Sequence, residues 1–482
     1  MSMFLAYKEK WRKLVPPARA SIVYFIVSFF QSGIIALTTP IFTRLLTTSE
    51  YGKYSVFNSW LGIFTCFITL NIYGGVYTQD LVKKGEHKNA VKISYYLLLT
   101  ILLGIWLVFF FFVRKQLVAI TGIELKELLL MFIMIWLSGI FQIWAQAERI
   151  EYKYKALFVS SMAYTIFSVA LSIGLVVFFD EKVYARILGM VFPALGIYGF
   201  IFIMDVLKNK CTIKIGELRH VLILAIPLVP HYLSQIILNN SDRIMIEKMC
   251  GASEAGIYSL ASSVAQIMSM FNSALLATIE PWVYKKIKEC RVEEIRNVAY
   301  PALSGIAFVN WLFILMAPEV IKFFAPQSYI SAIYTIPPIS MSVFFIFSYA
   351  FFAFVEFYYE KTSYISIATV LGAIMNIVLN YIFIKKYGYI AAGYTTLICY
   401  VIYAALHYCF MKKICKEKEI PNIYSLKTII LIAVAFVGIS ICTEALYNSY
   451  FVRWGILIAI VIVTWVNRKK FINMLRKLKT IG

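Results

Sequence analysis

Apolar residues along the chain gather into fourteen stretches, each about as long as a bilayer is thick. They run approximately over 20–43, 54–78, 92–113, 126–147, 156–179, 184–205, 219–241, 254–282, 297–317, 328–355, 362–384, 388–411, 427–446 and 450–466. A helix crossing about 30 Å of hydrocarbon needs roughly 20 mostly apolar residues. In lipid every backbone N–H and C=O must be satisfied within the segment, so each stretch predicts an α-helix. The polar connections are short and leave no room for an independent extramembrane domain. Composition agrees: 61% of the 482 residues are hydrophobic and only 15% are charged. Soluble chains are about 45–50% apolar and about 25% charged, and their surface must be wetted. A soluble enzyme and a disordered chain are therefore excluded.

The net charge of +21 suggests nucleic acid until the positions of the charges are read. Lysine and arginine favour cytoplasmic loops. With the N-terminus inside, the inner segments carry Lys8, Lys10, Arg12, Lys13 and Arg19; Lys83, Lys84, Lys88 and Lys92; Arg149, Lys153 and Lys155; and Lys208, Lys210, Lys214 and Arg219. The later inner segments are the Lys285–Arg296 cluster, Lys361, the Lys412–Lys427 cluster and the tail beyond residue 466. Together the inner segments hold 33 of the 46 basic residues. That asymmetry predicts an even number of spans with both termini cytoplasmic, in a cytoplasmic (inner) membrane, and explains the charge without a nucleic-acid partner. The eight cysteines form no CxxC or Cys/His cluster, so they read as small apolar residues rather than metal ligands.

The chain repeats itself. Residues 49–55 read SEYGKYS and residues 253–259 read SEAGIYS, an offset of 204. Arg44 and Arg243 precede the two copies. Lys83–Lys84 and Lys285–Lys286 follow the span after each. Gly52 and Gly256 are expected at helix starts in short loops, with Ser49/Glu50 and Ser253/Glu254 as caps. Both copies follow odd-numbered spans, so the halves are parallel repeats. The expected organisation is an all-α polytopic membrane protein. It has a six-helix bundle over 1–215, a second over 216–415, and two extra transmembrane helices with a basic cytoplasmic tail over 416–482.

Three segments carry a family resemblance: PIFTRLLTTSEYGKYS (40–55), NNSDRIMIEKMCGASEAGIYSLA (239–261) and NIVLNYIFIKKYGYIAAGYTTLICY (376–400). They resemble the corresponding loops and spans of Wzx-type oligosaccharide flippases. These form the polysaccharide-transport branch of the multidrug/oligosaccharidyl-lipid/polysaccharide (MOP) exporter superfamily, whose fold is MATE-like. The resemblance implies a flippase, not an enzyme. It implies translocation of an undecaprenyl-pyrophosphate-linked oligosaccharide repeat unit for surface polysaccharide such as O-antigen or capsule. Alternating access through a cationic central cavity is the implied mechanism. No cofactor is implied beyond H+ or Na+ coupling, and the partners are membrane lipid and the polymerase and chain-length proteins of the same pathway. Many Wzx-type proteins have twelve spans, so the role of the last two helices here is open.

Site candidates follow from what a pyrophosphate needs. Arginine donates two hydrogen bonds and stays ionised. Arg44, Arg243, Arg149, Lys153 and Arg186 are the cationic candidates. The alternatives are snorkelling side chains, ordinary inner-loop charge, and for Arg243 pairing with Asp242 or Glu247. Asn376 and Asn380, one turn apart, either line the cavity or bond a neighbouring helix. Acids within or beside spans are functional candidates by default, which selects Glu280 late in the eighth stretch, Glu356 just after the tenth, and Asp242 just after the seventh for ion coupling. Pro227 and Pro230 are hinge candidates, because proline removes a backbone hydrogen bond.

Two other functions are weighed. A multidrug or cation antiporter would want a carboxylate deep in the first span, and residues 21–43 contain no Asp or Glu. A glycan polymerase or transferase would want an acid cluster or a large outer loop. The four aspartates form no DxD motif, and His231 is the one histidine expected well inside a span, with no acid nearby in sequence.

Overall fold

The structure, a computed structural model, describes residues 15–83, 87–209 and 215–466. Lys8, Lys10, Arg12, Lys13, Lys84, Lys210, Lys214 and the basic tail lie outside them. Among the described residues the chain is helical throughout, without a strand. It divides into two compact units, Met1–Ile244 and Met245–Gly482.

The first unit contains α1 (Pro16–Leu45), α2 (Thr48–Thr69), α3 (Gly75–Lys83), α4 (Lys88–Thr121), α5 (Leu125–Ile150), α6 (Tyr154–Phe178), α7 (Lys182–Lys208) and α8 (Ile215–Ala225). A 3-10 turn (Ile226–Leu228) then leads into α9 (Val229–Met249), whose last residues fall in the second unit. Leu128, Ile135, Phe57 and Ile187 form one buried cluster of this unit, and Tyr77, Tyr95, Leu99 and Ile143 another. The second unit contains α10 (Ala252–Lys288), α11 (Val292–Leu315), α12 (Ala317–Phe324), a 3-10 stretch (Gln327–Tyr334), α13 (Ile336–Tyr358), α14 (Thr362–Tyr387), α15 (Ile390–Glu417), α16 (Leu426–Glu444) and α17 (Tyr450–Val466). Its core is built around Phe344, Phe347, Phe351 and Met411. Phe112, Phe178 and Phe451 are 76%, 85% and 88% exposed. Side chains that large and apolar, so displayed, are stable only against lipid.

Each of the fourteen expected stretches is mostly helical, and among the described residues twelve helical runs are long and apolar enough to cross a membrane. Two depart from the expected pattern. The second stretch, 54–78, is not one span. α2 ends where Leu70 and Asn71 turn left-handed (φ 50° and 49°), and α3 restarts at Gly75. Hydropathy is blind to this break, because Asn71 is a single polar residue among the apolar Leu70, Ile72 and Tyr73. The fourteenth stretch is α17, only 17 residues long. At 34 and 37 residues, α4 and α10 exceed what 30 Å requires at about 1.5 Å per residue, so their ends project beyond the hydrocarbon.

The repeated heptapeptides each open a helix, α2 and α10, but their caps differ from expectation. Thr47, not Ser49, is the N-cap of α2. Its side chain accepts from the Glu50 N–H while Glu50 accepts from the Thr47 N–H at 2.8 Å, a capping box. Gly251 at φ 120° precedes α10 and supplies no side-chain cap. Gly52 and Gly256 lie buried inside the helices, not in loops. Gly189 of α7 is required by close approach, since a Cβ there would overlap Cα and Oγ of Ser172 on α6.

The last two helices are fastened to the second unit by polar contacts. Trp311 Nε1 donates to Thr443 Oγ1 at 2.9 Å, and the Tyr447 hydroxyl donates to the Ile314 carbonyl at 3.0 Å. Arg453, buried on α17, meets Glu319 of α12 and the Leu446 carbonyl.

Candidate functional site

Arg186 sits one turn into α7, facing the α1–α2 corner. Its guanidinium carbon lies 3.6 Å from the ring centre of Tyr54, 3.9 Å from Phe42 and 5.4 Å from Tyr51. Two of these rings come from the heptapeptide at 49–55, so the motif builds an aromatic box around a cation. The Tyr54 hydroxyl is in turn tied to Met190 Sδ at 2.8 Å. Among the described residues no carboxylate pairs with Arg186, and its Nη1 is buried without a partner. Ring quadrupoles hold the charge where an anion ordinarily would.

Arg44 and Arg243 share one local geometry. Arg44 Nη1 donates to the carbonyl of Pro40 at 2.8 Å, and Arg243 Nη1 to the carbonyl of Asn239 at 3.1 Å, each four residues back along its own helix. Arg243 also reaches Asn240 Oδ1 at 3.2 Å. A cation in the last turn of a helix is favoured by the macrodipole; Arg44 stands in the last turn of α1 and gains from it, whereas Arg243 lies further back along α9. Asp242 beside Arg243 is buried.

At the other end of the first unit, Arg149 donates to Gln146 Oε1 at 2.7 Å, and Gln146 to Thr78. Lys153 belongs to a different group. It and Lys88 both bridge to Glu151. Burial raises the Glu151 carboxyl, but hydrogen bonds from Lys153 and Lys88 outweigh it and hold the group below the ordinary glutamate value. The Lys153 ammonium is raised by its hydrogen bond to Glu151. Lys92, expected in an inner loop, lies buried in α4 instead. Its Nζ is 2.7 Å from Asp205 Oδ1, and the Tyr96 hydroxyl donates to Asp205 Oδ2 at 3.1 Å. Lys88, Lys92, Glu151, Lys153 and Asp205 line a cavity of about 210 Å³ between α4, α5 and α7, which Arg149 does not reach.

In the second unit Asn376 and Asn380 are fully buried. Asn380 Nδ2 donates to Asn376 Oδ1 at 3.1 Å, Asn376 Nδ2 reaches Thr396 Oγ1 at 3.4 Å, and Thr395 donates to Asn380 Oδ1. Of the two readings left open for them, bonding to a neighbouring helix is the one these contacts display. Glu280 accepts from the Tyr284 hydroxyl at 2.7 Å.

Glu356 lies inside α13 rather than after it, fully buried and bonded to His407 of α15. Sequence reasoning missed His407 because it sits near the end of an apolar stretch whose acid partner belongs to a different span. His231, by contrast, is only half-buried and touches Gln235 at 3.3 Å. Tyr349 stacks on the His407 ring and Tyr403 meets it edge-on. Pro227 falls within the 3-10 turn and Pro230 in the first turn of α9. The seventh span thus leaves α-geometry where its N–H groups are missing.

With the geometry in place, the family described as "Polysaccharide biosynthesis protein" matches residues 18–285. The chain belongs to this polysaccharide biosynthesis family. That bears out the resemblance read from the sequence. A curated relative, an uncharacterized membrane protein of Haemophilus influenzae, is 22% identical over 375 residues, covering 74% of this chain and 87% of the relative. Among solved structures, the lipid II flippase MurJ in an inward closed conformation aligns with TM-score 0.73 at 15% identity, over 93% of this chain and all of that one. An inward-facing multidrug resistance MATE transporter of the MOP superfamily aligns with TM-score 0.61 at 15% identity, over 80% of this chain and 96% of that one. The fold of this family member is therefore that shared by MurJ and the MATE transporters. It is a multi-pass membrane protein.

Proposed function

We propose that this protein is a Wzx-type flippase. In this reading it moves an undecaprenyl-pyrophosphate-linked oligosaccharide from the inner to the outer leaflet of the cytoplasmic membrane, for assembly of a surface polysaccharide such as O-antigen or capsule. The observation that carries the reading is a MurJ-like fold in a chain of the polysaccharide biosynthesis family. The chemistry is consistent. A sugar pyrophosphate does not cross hydrocarbon unaided, and Arg186 is a cation that, among the described residues, faces aromatic rings and no carboxylate. Arg44 and Arg243 place guanidinium groups at repeat-related positions, each bonded to a carbonyl of its own helix, and a phosphate is the anion that such groups recognise.

In the same reading both termini are cytoplasmic and no step requires catalysis by the chain. The two halves alternate in access, with the proline-broken seventh span as a hinge. An H+ or Na+ gradient drives the cycle through Glu356, Glu280 or Asp242. Lipid is the constant partner; a polymerase and a chain-length protein take over the product. The antiporter reading gains nothing from the structure, since α1 carries no acid along its length.

The deciding experiment deletes the gene and analyses the lipid-linked intermediates. Complete repeat units accumulating in the inner leaflet are expected. Unextended units would point instead to a transferase and overturn the proposal.

A further inference from the structure

We infer that the cavity at the α4–α5–α7 end of the first unit is a binding site for a phosphate-linked sugar. The inference rests on the flippase reading, because it makes this cavity the place where the polar head is held on the inner side before transfer.

The cavity encloses about 210 Å³. At about 30 Å³ per water, that is the room of one sugar ring with its phosphate. Its floor is fixed. Lys92 and Asp205 are joined at 2.7 Å with both side chains about nine-tenths buried, and Tyr96 and Asn209 complete the Asp205 oxygens. Such a floor is polar, satisfied and unable to collapse. The rim is basic. Lys88 and Lys153 share the single carboxylate Glu151, so two ammonium groups meet one negative charge and one positive charge is left over.

Further polar groups stand at the mouth and on the wall. Lys208 and Asn89 line the exposed mouth and the half-buried Glu148 the wall; none of the three makes a side-chain hydrogen bond among the described residues, and Glu148 lies in the field of Lys153 and Lys92. An ammonium, a carboxylate and an amide facing one polar cavity match a ligand that is anionic at one end and rich in hydroxyls at the other. Phosphate oxygens accept from Lys208 and the Lys88–Lys153 rim. Sugar hydroxyls donate to Glu148 and bond Asn89. A bare phosphate does not fit as well, because Glu148 would repel it. A dication does not fit either, because among the described lining residues four lysines stand against three acids.

The test uses the full-length protein in lipid nanodiscs, titrated calorimetrically with N-acetylglucosamine 1-phosphate and, separately, with inorganic phosphate. Saturable binding of the sugar phosphate is expected, with inorganic phosphate weaker. Lys208→Gln should weaken both by about tenfold. Glu148→Ala should weaken the sugar phosphate alone and leave inorganic phosphate equal or tighter. Lys115→Gln, near the far end of α4, is the control that changes neither. Vesicles carrying undecaprenyl phosphate serve as a third probe. If they compete with the sugar phosphate, the site takes the lipid-borne head; if they do not, it takes a free sugar phosphate and its place in the flippase cycle is lost. Absence of sugar-phosphate binding, equal affinity for both soluble probes, or indifference to Lys208→Gln and Glu148→Ala in well-folded protein would each overturn the site. None of those outcomes bears on the gene-deletion experiment, so the site and the flippase reading fail separately.

Discussion

Glu356 and His407, 51 positions apart, close a buried pair: His407 Nδ1 lies 2.8 Å from Glu356 Oε1 and 3.0 Å from Oε2, and neither side chain reaches solvent. The pair pins α13 to α15. Removing one partner strands the other in a dry interior, at a cost of about 3–5 kcal/mol. Glu356→Ala and His407→Ala should therefore each lower the melting temperature of the detergent-solubilised protein sharply. The double variant Glu356→Leu/His407→Leu should recover most of the loss, since an apolar pair of similar volume needs no solvation. If the double variant folds and still exports glycan, the pair is structural and Glu356 drops out as an ion-coupling candidate.

Arg186 is held by Tyr54 and Phe42 at 3.6 and 3.9 Å from its guanidinium carbon. Arg186→Met keeps the volume and deletes the charge. A desolvated cation–π contact is worth about 2 kcal/mol, so thermal denaturation should show a loss of that order. Tyr54→Ala should cost a similar amount, and the double variant less than the sum, because each single change already breaks the same contact. Full additivity would mean the box does not hold the charge.

Gly189 leaves no space for a side chain against Ser172. Gly189→Ala forces α6 and α7 apart, and overpacking of this kind costs about 1–3 kcal/mol. Ser172→Gly in the same chain removes the hydroxyl but not the backbone in the way, so rescue should be partial. Reduced yield of folded protein on size-exclusion chromatography is the readout.

The Lys88–Glu151–Lys153 clasp makes stability depend on pH at both extremes. The Glu151 carboxyl lies below its ordinary value, which is about 4.3 in an unfolded chain. Its contribution is present above that value and is lost as pH falls through the lowered folded value. The Lys153 ammonium lies above its ordinary value, about 10.4 unfolded. Its contribution is complete below that and is lost as pH rises through the raised folded value. Melting temperature against pH should flatten at the acid end in Glu151→Gln. An unchanged acid limb would show that the clasp does not act in solution.

Arg44→Ala/Arg243→Ala should lower surface glycan while leaving protein abundance normal, if the two arginines act on the transported head and not on folding; Arg44 donates to the Pro40 carbonyl and Arg243 to the Asn239 carbonyl, bonds within one helix whose loss costs little. Quantifying surface polysaccharide alongside membrane protein level separates the two effects. Wild-type export from the double variant would remove both arginines from the mechanism.

What could be read from the sequence is what depends on neighbours along the chain. Hydropathy over about twenty residues located the twelve helical runs long enough to span among the described residues, because a lipid-facing helix must be apolar wherever it touches hydrocarbon, whatever it packs against. The segments at 40–55, 239–261 and 376–400 carried the family. Pro227 and Pro230 marked a departure from α-geometry because the missing N–H is written in the residue itself. The break after Thr69 was not legible in hydropathy, which averages over it: Leu70 and Asn71 turn left-handed, a conformation Asn tolerates better than most residues.

Partnerships belong to the tertiary structure. Lys92 counted as loop charge until Asp205, 113 positions away, came within 2.7 Å. His407 counted as one of four scattered histidines until α15 turned it toward Glu356. Arg186 gained its box only when α7 lay against the α1–α2 corner. In each case the deciding quantity is the rotational phase of one helix against another, and that phase is fixed by how side-chain volumes interlock, which no window along a single chain records.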